Sequence, residues 1–99
     1  SELAKRYDFS IHFWRTKDKA EIDFILQKGR NIVPVEVKYK SIDTFEITRA
    51  MRNFIERYNP KAAAVVNISS YHEESIANTK VSLLPFYKLK KFVEENFGS

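Results

Sequence analysis

The spacing of apolar positions divides the chain into alternating and helical segments. Residues 10–15, 21–27 and 32–38 alternate apolar with polar side chains, the period of half-buried strands. In the second of these, Ile22, Phe24 and Leu26 fall on one face and Glu21, Asp23 and Ile25 on the other. In the third, Val33, Val35 and Val37 oppose Ile32, Pro34, Glu36 and Lys38. Between them Lys28-Gly29-Arg30-Asn31 reads as a tight hairpin turn, in which Gly29 can take a positive φ. Pro34 has no N–H to give a ladder, so a bulge or an unpaired position is expected there.

The period then becomes helical. Ile47, Ala50, Met51, Phe54, Ile55 and Tyr58 line one face of a helix expected over 43–58. Asp43 is the expected N-cap, with Glu46 completing a capping box and Ile42 and Ile47 forming a hydrophobic staple. Asn59-Pro60 stops the helix. Residues 62–67 are a short apolar run, as in a strand covered on both faces. Residues 69–79 read as polar loop and 81–84 as a last strand. A final helix starts at Pro85, turns Phe86, Leu89, Phe92, Val93 and Phe97 inward, and ends at Gly98. Residues 1–6 resemble the tail of a helix. The expected fold is α/β: a three-strand antiparallel meander, then a helix and a parallel strand, giving a mixed sheet flanked by helices.

Composition narrows the setting. Ninety-nine residues suit a single domain spanning 1–99. No apolar run approaches the ~20 residues that span a bilayer, no signal-peptide pattern opens the chain, and there is no cysteine, so a cytoplasmic setting without a membrane is expected. The net charge is +4, of which residues 1–40 carry +3, with nine Lys/Arg against six Asp/Glu. A basic rim of this kind suits a polyanion such as nucleic acid, DNA in the first instance.

The charges inside the strand-like stretch are the candidate chemistry. A hairpin symmetric about Gly29-Arg30 sets Asp23 opposite Glu36. Like charges facing one another destabilise a sheet, and a divalent cation between them removes the repulsion. Hard oxygen ligands suit Mg2+ or Mn2+. Lys38, on the same face, is placed to orient or help deprotonate an attacking water.

Asp23 followed by Glu36-Val37-Lys38, in this element order, resembles the PD-(D/E)xK nuclease superfamily, whose fold is restriction-endonuclease-like. The likeness covers about residues 1–67, although Ile22 stands where that pattern has proline. It implies Mg2+-dependent phosphodiester hydrolysis, with Asp23, Glu36 and Lys38 catalytic. The metal would be held by Asp23, Glu36, the carbonyl of Val37 and Glu2. The stretches "FWRTKDKAEIDFILQKGRNIVPVEVKYK" and "NFIERYNPKAAAVVN" are similar to the C-terminal domain of archaeal-type P-loop ATPases, over residues 1 to about 88. That resemblance implies an ATPase domain on the same longer chain as a partner and leaves homo-oligomerisation open. No G-x-x-x-x-G-K-[ST] occurs here. The alternative function is a non-catalytic module of an ATPase, binding nucleic acid or protein and keeping a relict metal site.

Other residues carry weaker signals. Glu21 reads as structural or as supporting the site. His12 reads as a packing or hydrogen-bonding residue, and His72 as solvent-facing. Trp14 and Tyr39 could stack on bases, although aromatic residues on strands are usually core. Arg49, Arg52 and Arg57 read as a solvated helix face.

Overall fold

The structure, a computed structural model, describes residues 2–15 and 21–98. Glu21 and Trp14, singled out above, have side chains outside the described set. The elements are α1 (Glu2–Tyr7), β1 (Ser10–Arg15), β2 (Glu21–Lys28), β3 (Asn31–Val37), α2 (Arg49–Tyr58), β4 (Ala62–Asn67), β5 (His72–Ile76), β6 (Thr79–Pro85) and α3 (Leu89–Phe97). They build a six-stranded sheet of order β1-β2-β3-β4-β6-β5. β1, β2 and β3 form an antiparallel meander, and β4 is parallel to both β3 and β6. This is the expected α/β architecture, one strand wider. Among the described residues no helix is long and apolar enough to cross a membrane.

Each face of the sheet has its own cover. Val33, Val35, Ala62, Ala64, Val66 and Leu84 point to one side, where Phe92, Val93 and Phe97 of α3 and Leu3, Ala4 and Tyr7 of α1 pack. Ala63, Val65, Val81 and Leu83 point to the other, under Met51 and Ile55 of α2. The run Ala62–Val66 is thus apolar throughout because it is buried on both faces. The β2–β3 hairpin has the expected register, Lys28 opposite Asn31 and Phe24 opposite Val35, with Gly29 at φ 60 in the two-residue turn.

Pro34 causes no bulge: the β2–β3 register runs through it unshifted. Its nitrogen has the parity of Lys38, whose N–H bonds Val66 O of β4 at 2.7 Å. The β3–β4 ladder starts only at Val35, so the missing donor falls where no bond is called for. The bulge lies on β2 instead. His12 pairs with Ile25 and Trp14 with Ile22, so Asp23 and Phe24 together oppose Phe13. This overturns the simple alternation expected for β2: Ile22 and Ile25 share a cluster with Ala50 and Phe54 of α2, whereas Leu26 packs on the opposite face.

Two further expectations are corrected. Residues 72–76 are strand, not loop, and form a hairpin with β6 through Ala77 and Asn78. The strand is exposed almost throughout, so it lacks apolar alternation, and Ala77 takes φ 54 where a glycine would have signalled the turn. Helix α2 begins at Arg49, not at 43, and its N-cap is Thr48. Ile42, Phe45 and Ile47 instead pack with Ile76 and Leu83, covering the strands added at that edge. The C-terminus of α2 is as expected, with Asn59 in the left-handed conformation (φ 47, ψ 52) ahead of Pro60.

Met51 is wholly buried between α2 and the sheet. Met51→Ala is expected to lower stability by about 2–5 kcal/mol, read as a lower denaturant midpoint at unchanged m-value.

Candidate functional site

Asp23 owes its position to the bulge. The last β2–β3 pair is Phe24 with Val35, so the next inward N–H of β3, that of Val37, has no strand partner in the ladder. Asp23 Oδ2 accepts from it at 2.7 Å. The exposed carboxylate therefore takes the place of a main-chain carbonyl where the two strands part, leaving Oδ1 for another donor or a cation.

Glu36 sits one residue back on β3, facing α2, and is only 3% exposed. Its Oε1 accepts from the hydroxyl of Thr48. The same hydroxyl oxygen accepts from Met51 N at 3.1 Å, capping α2. Glu36 Oε2 is buried with no hydrogen-bond partner among the described residues. Lys38 Nζ lies 4.0 Å from it, close enough for attraction but too far for a hydrogen bond. Burial pushes the Glu36 carboxyl pKa up; the Thr48 hydrogen bond and the Lys38 charge pull it down, and the Asp23 charge raises it again. The three charges singled out from sequence do converge at the end of β3.

The set stops there. Among the described residues no three Asp, Glu or His side chains gather in a group that could hold a metal. Glu2 is exposed at the first turn of α1, a helix that packs on the opposite face from Glu36. Val37 is half-buried, with its N–H taken by Asp23. The donor chemistry itself fits a hard divalent cation: two carboxylates, one with a buried oxygen that no described donor satisfies. His12 is exposed beside Ser10 Oγ at 2.9 Å, and His72 is exposed on β5. Tyr39 is 90% exposed rather than core. Arg49, Arg52 and Arg57 are exposed, as expected.

No curated protein matches the chain. A family model described as a domain of unknown function, DUF4143, matches residues 1–89. The chain belongs to the DUF4143 family. The match spans every strand of this DUF4143 domain, the bulge at Asp23 and the Thr48 cap included.

Thr48 is the site residue that sequence reasoning overlooked. Asp43 with Glu46 gave a stronger capping pattern, and only the partner, Glu36, distinguishes Thr48 from it. The raised Glu36 pKa gives this DUF4143 domain a testable pH dependence. As pH rises above the ordinary value of 4.5, the unfolded chain releases the Glu36 proton while the folded domain still holds it. That contribution to stability is complete below 4.5 and is lost as pH climbs to the raised folded value. Glu36→Gln keeps an acceptor for Thr48 and cannot ionise. Its stability relative to the parent is expected to rise with pH over this interval, measured by denaturant midpoints without divalent ions.

Proposed function

We propose that this domain is a restriction-endonuclease-like, metal-dependent nuclease domain that hydrolyses phosphodiester bonds of nucleic acid, DNA in the first instance. The observation that carries the reading is the buried Oε2 of Glu36, without a hydrogen-bond partner among the described residues, with Lys38 at 4.0 Å and Asp23 near enough to raise its pKa. A carboxylate in that state suits a site completed by a cation. The meander–helix–parallel-strand order supports the same reading, as does the resemblance of Asp23 with Glu36-Val37-Lys38 to the PD-(D/E)xK pattern.

In this reading Asp23 and Glu36 would hold Mg2+ or Mn2+, which would supply charge neutralisation and lower the pKa of a water. The Val37 N–H orients Asp23, and Thr48 fixes Glu36. Both carboxylates are thereby aimed before any ligand arrives. Lys38, partly exposed, presents an ammonium to the negative charge that builds up on a phosphoryl oxygen, or orients the attacking water. The carbonyl of Val37 offers a further oxygen beside them. The same reading puts it in a cytoplasmic setting with an ATPase domain on the same longer chain, as the resemblance to the C-terminal domain of archaeal-type P-loop ATPases implies.

A second reading has its own observation. Each carboxylate already serves a structural purpose, Asp23 at a strand N–H and Glu36 at a helix cap. A non-catalytic module of an ATPase, with a relict metal site, would keep both.

Metal-dependent melting separates the two. A cation that binds only the folded state adds RT ln(1 + [L]/Kd), about 1.4 kcal/mol at ten times Kd. In a domain of this size that raises the Tm by roughly 6–11 °C. Asp23→Asn still offers Val37 N–H an acceptor, so it is expected to melt like the parent without metal and to lose most of the Mn2+ shift. Cleavage is expected to require Mg2+ or Mn2+ and to vanish in Asp23→Asn, Glu36→Gln and Lys38→Ala. A parent domain indifferent to millimolar Mn2+ would sink the nuclease reading and leave the second.

A further inference from the structure

Three parallel strands end side by side: β3 at Val37, β4 at Asn67 and β6 at Pro85. Their outgoing segments are tied together. Ile68 N–H bonds Lys40 O at 3.3 Å, and the hydroxyls of Ser41 and Ser69 meet at 2.7 Å. Buried Asn67 donates to Ser70 O and Leu84 O, at 2.9 and 3.1 Å, while its Oδ1 accepts from the N–H groups of Ser69 and Ser70. The rim is therefore held by main-chain and buried polar bonds, not by packing of what it displays.

What it displays is aromatic and basic. Tyr39 is 90% exposed, Tyr87 66% and Ile68 49%; Phe86, expected inward on a helix from Pro85, is instead 63% exposed, because α3 begins only at Leu89. Residues 38–42, 67–71 and 85–91 hold five lysines and no Asp or Glu. Large exposed rings cost solvation and contribute little to the fold. Set among lysines on a fixed rim, they match a partner that combines flat apolar faces with repeated negative charge.

We propose that this rim is a stacking platform for single-stranded nucleic acid: Tyr39, Phe86 and Tyr87 receive unpaired bases while Lys38, Lys40 and Lys88 lie along the phosphates. Base–aromatic stacking needs free π-faces, which a duplex keeps to itself, and is indifferent to base identity. The lysine excess along these three segments, bordered by Glu73 and Glu95 beside Tyr71, argues for a polyanion. The C-terminal ends of parallel strands are also where open α/β sheets bind ligands. The proposal deepens the nuclease reading by naming the strand form of the substrate, and it rests on that reading only in setting the platform beside Glu36 and Lys38.

The test is fluorescence anisotropy in EDTA, so that binding is read apart from any metal or cleavage. Labelled oligothymidylate, oligouridylate and a DNA duplex of equal length are the probes. A single strand is expected to bind at least tenfold more tightly than the duplex, whichever sugar it carries. Its log–log salt slope is expected to be about −2 for ~3 phosphates. Tyr39→Ala and Phe86→Ala are each expected to weaken binding by about five- to 150-fold at unchanged Tm. Phe13→Ala, which removes an exposed ring from β1, is expected to leave binding within about twofold. Duplex binding as tight as single-strand binding overturns the proposal, as does indifference to the Tyr39 and Phe86 changes. Normal strand binding by those variants, with lost association to another protein segment, reassigns the rim to protein docking and overturns it too. A platform that fails beside an intact Mn2+ melting shift leaves the metal site standing; the reverse result leaves the platform.

Discussion

The hydroxyl of Thr48 joins a buried charge to a helix. It donates to Glu36 and accepts from the first turn of α2, so the carboxylate on β3 and the start of the crossover helix are fixed by one atom. Leaving a buried acceptor without its donor costs about 1–3 kcal/mol, and losing an N-cap about 1. Both penalties fall on the same position. This explains why the helix starts at Arg49 and ignores the better-looking cap at Asp43. A helix begun at 43 would have drawn Ile42, Phe45 and Ile47 away from the β5–β6 edge that they cover.

The second constraint is the bulge on β2. Inserting Asp23 and Phe24 opposite Phe13 turns Ile22 back toward α2 and frees Asp23 from either face, so that its carboxylate can reach the Val37 N–H. Without the bulge, Asp23 would follow strict alternation and the Val37 N–H would need the carbonyl of Ile22. The strand separation at this point thus follows from a side chain replacing a main-chain acceptor. It opens the sheet directly beside Glu36, in a domain whose remaining strands pair continuously from Phe24 and Val35 onward.

Much of this was legible in the sequence because it obeyed a period. The meander, the register summing across Gly29-Arg30, the doubly buried Ala62–Val66 run and the Asn59-Pro60 stop all follow from spacing and turn chemistry. The register pointed to Asp23, Glu36 and Lys38 together, but the ladder ends at Phe24 and Val35, and Asp23 reaches the group through the bulge and the Val37 N–H rather than by facing Glu36. What stayed hidden breaks a period or has none. A bulge shifts parity without changing composition. β5 is a polar edge strand closed by an alanine in a left-handed turn, which no propensity favours. Thr48 outranks Asp43 only through a tertiary partner. Glu2 followed from resemblance rather than from spacing, and it lies on α1, across the sheet from Glu36.

The charged stretch in the most strand-like part of the chain now has a physical account on two levels. As structure, Asp23 ends a ladder and Glu36 anchors a helix, so neither charge is idle in the fold. As chemistry, one demand remains unmet: Glu36 Oε2 has no hydrogen-bond donor among the described residues, and Lys38 stops 4.0 Å short of it. A purely structural anchor could have used an amide, which still accepts from Thr48 and carries no desolvation penalty for charge. Retaining a carboxylate there makes sense if its second oxygen is kept for something that arrives from outside. The parting of β2 from β3 and the exposed end of Lys38 lie on the side from which it would come.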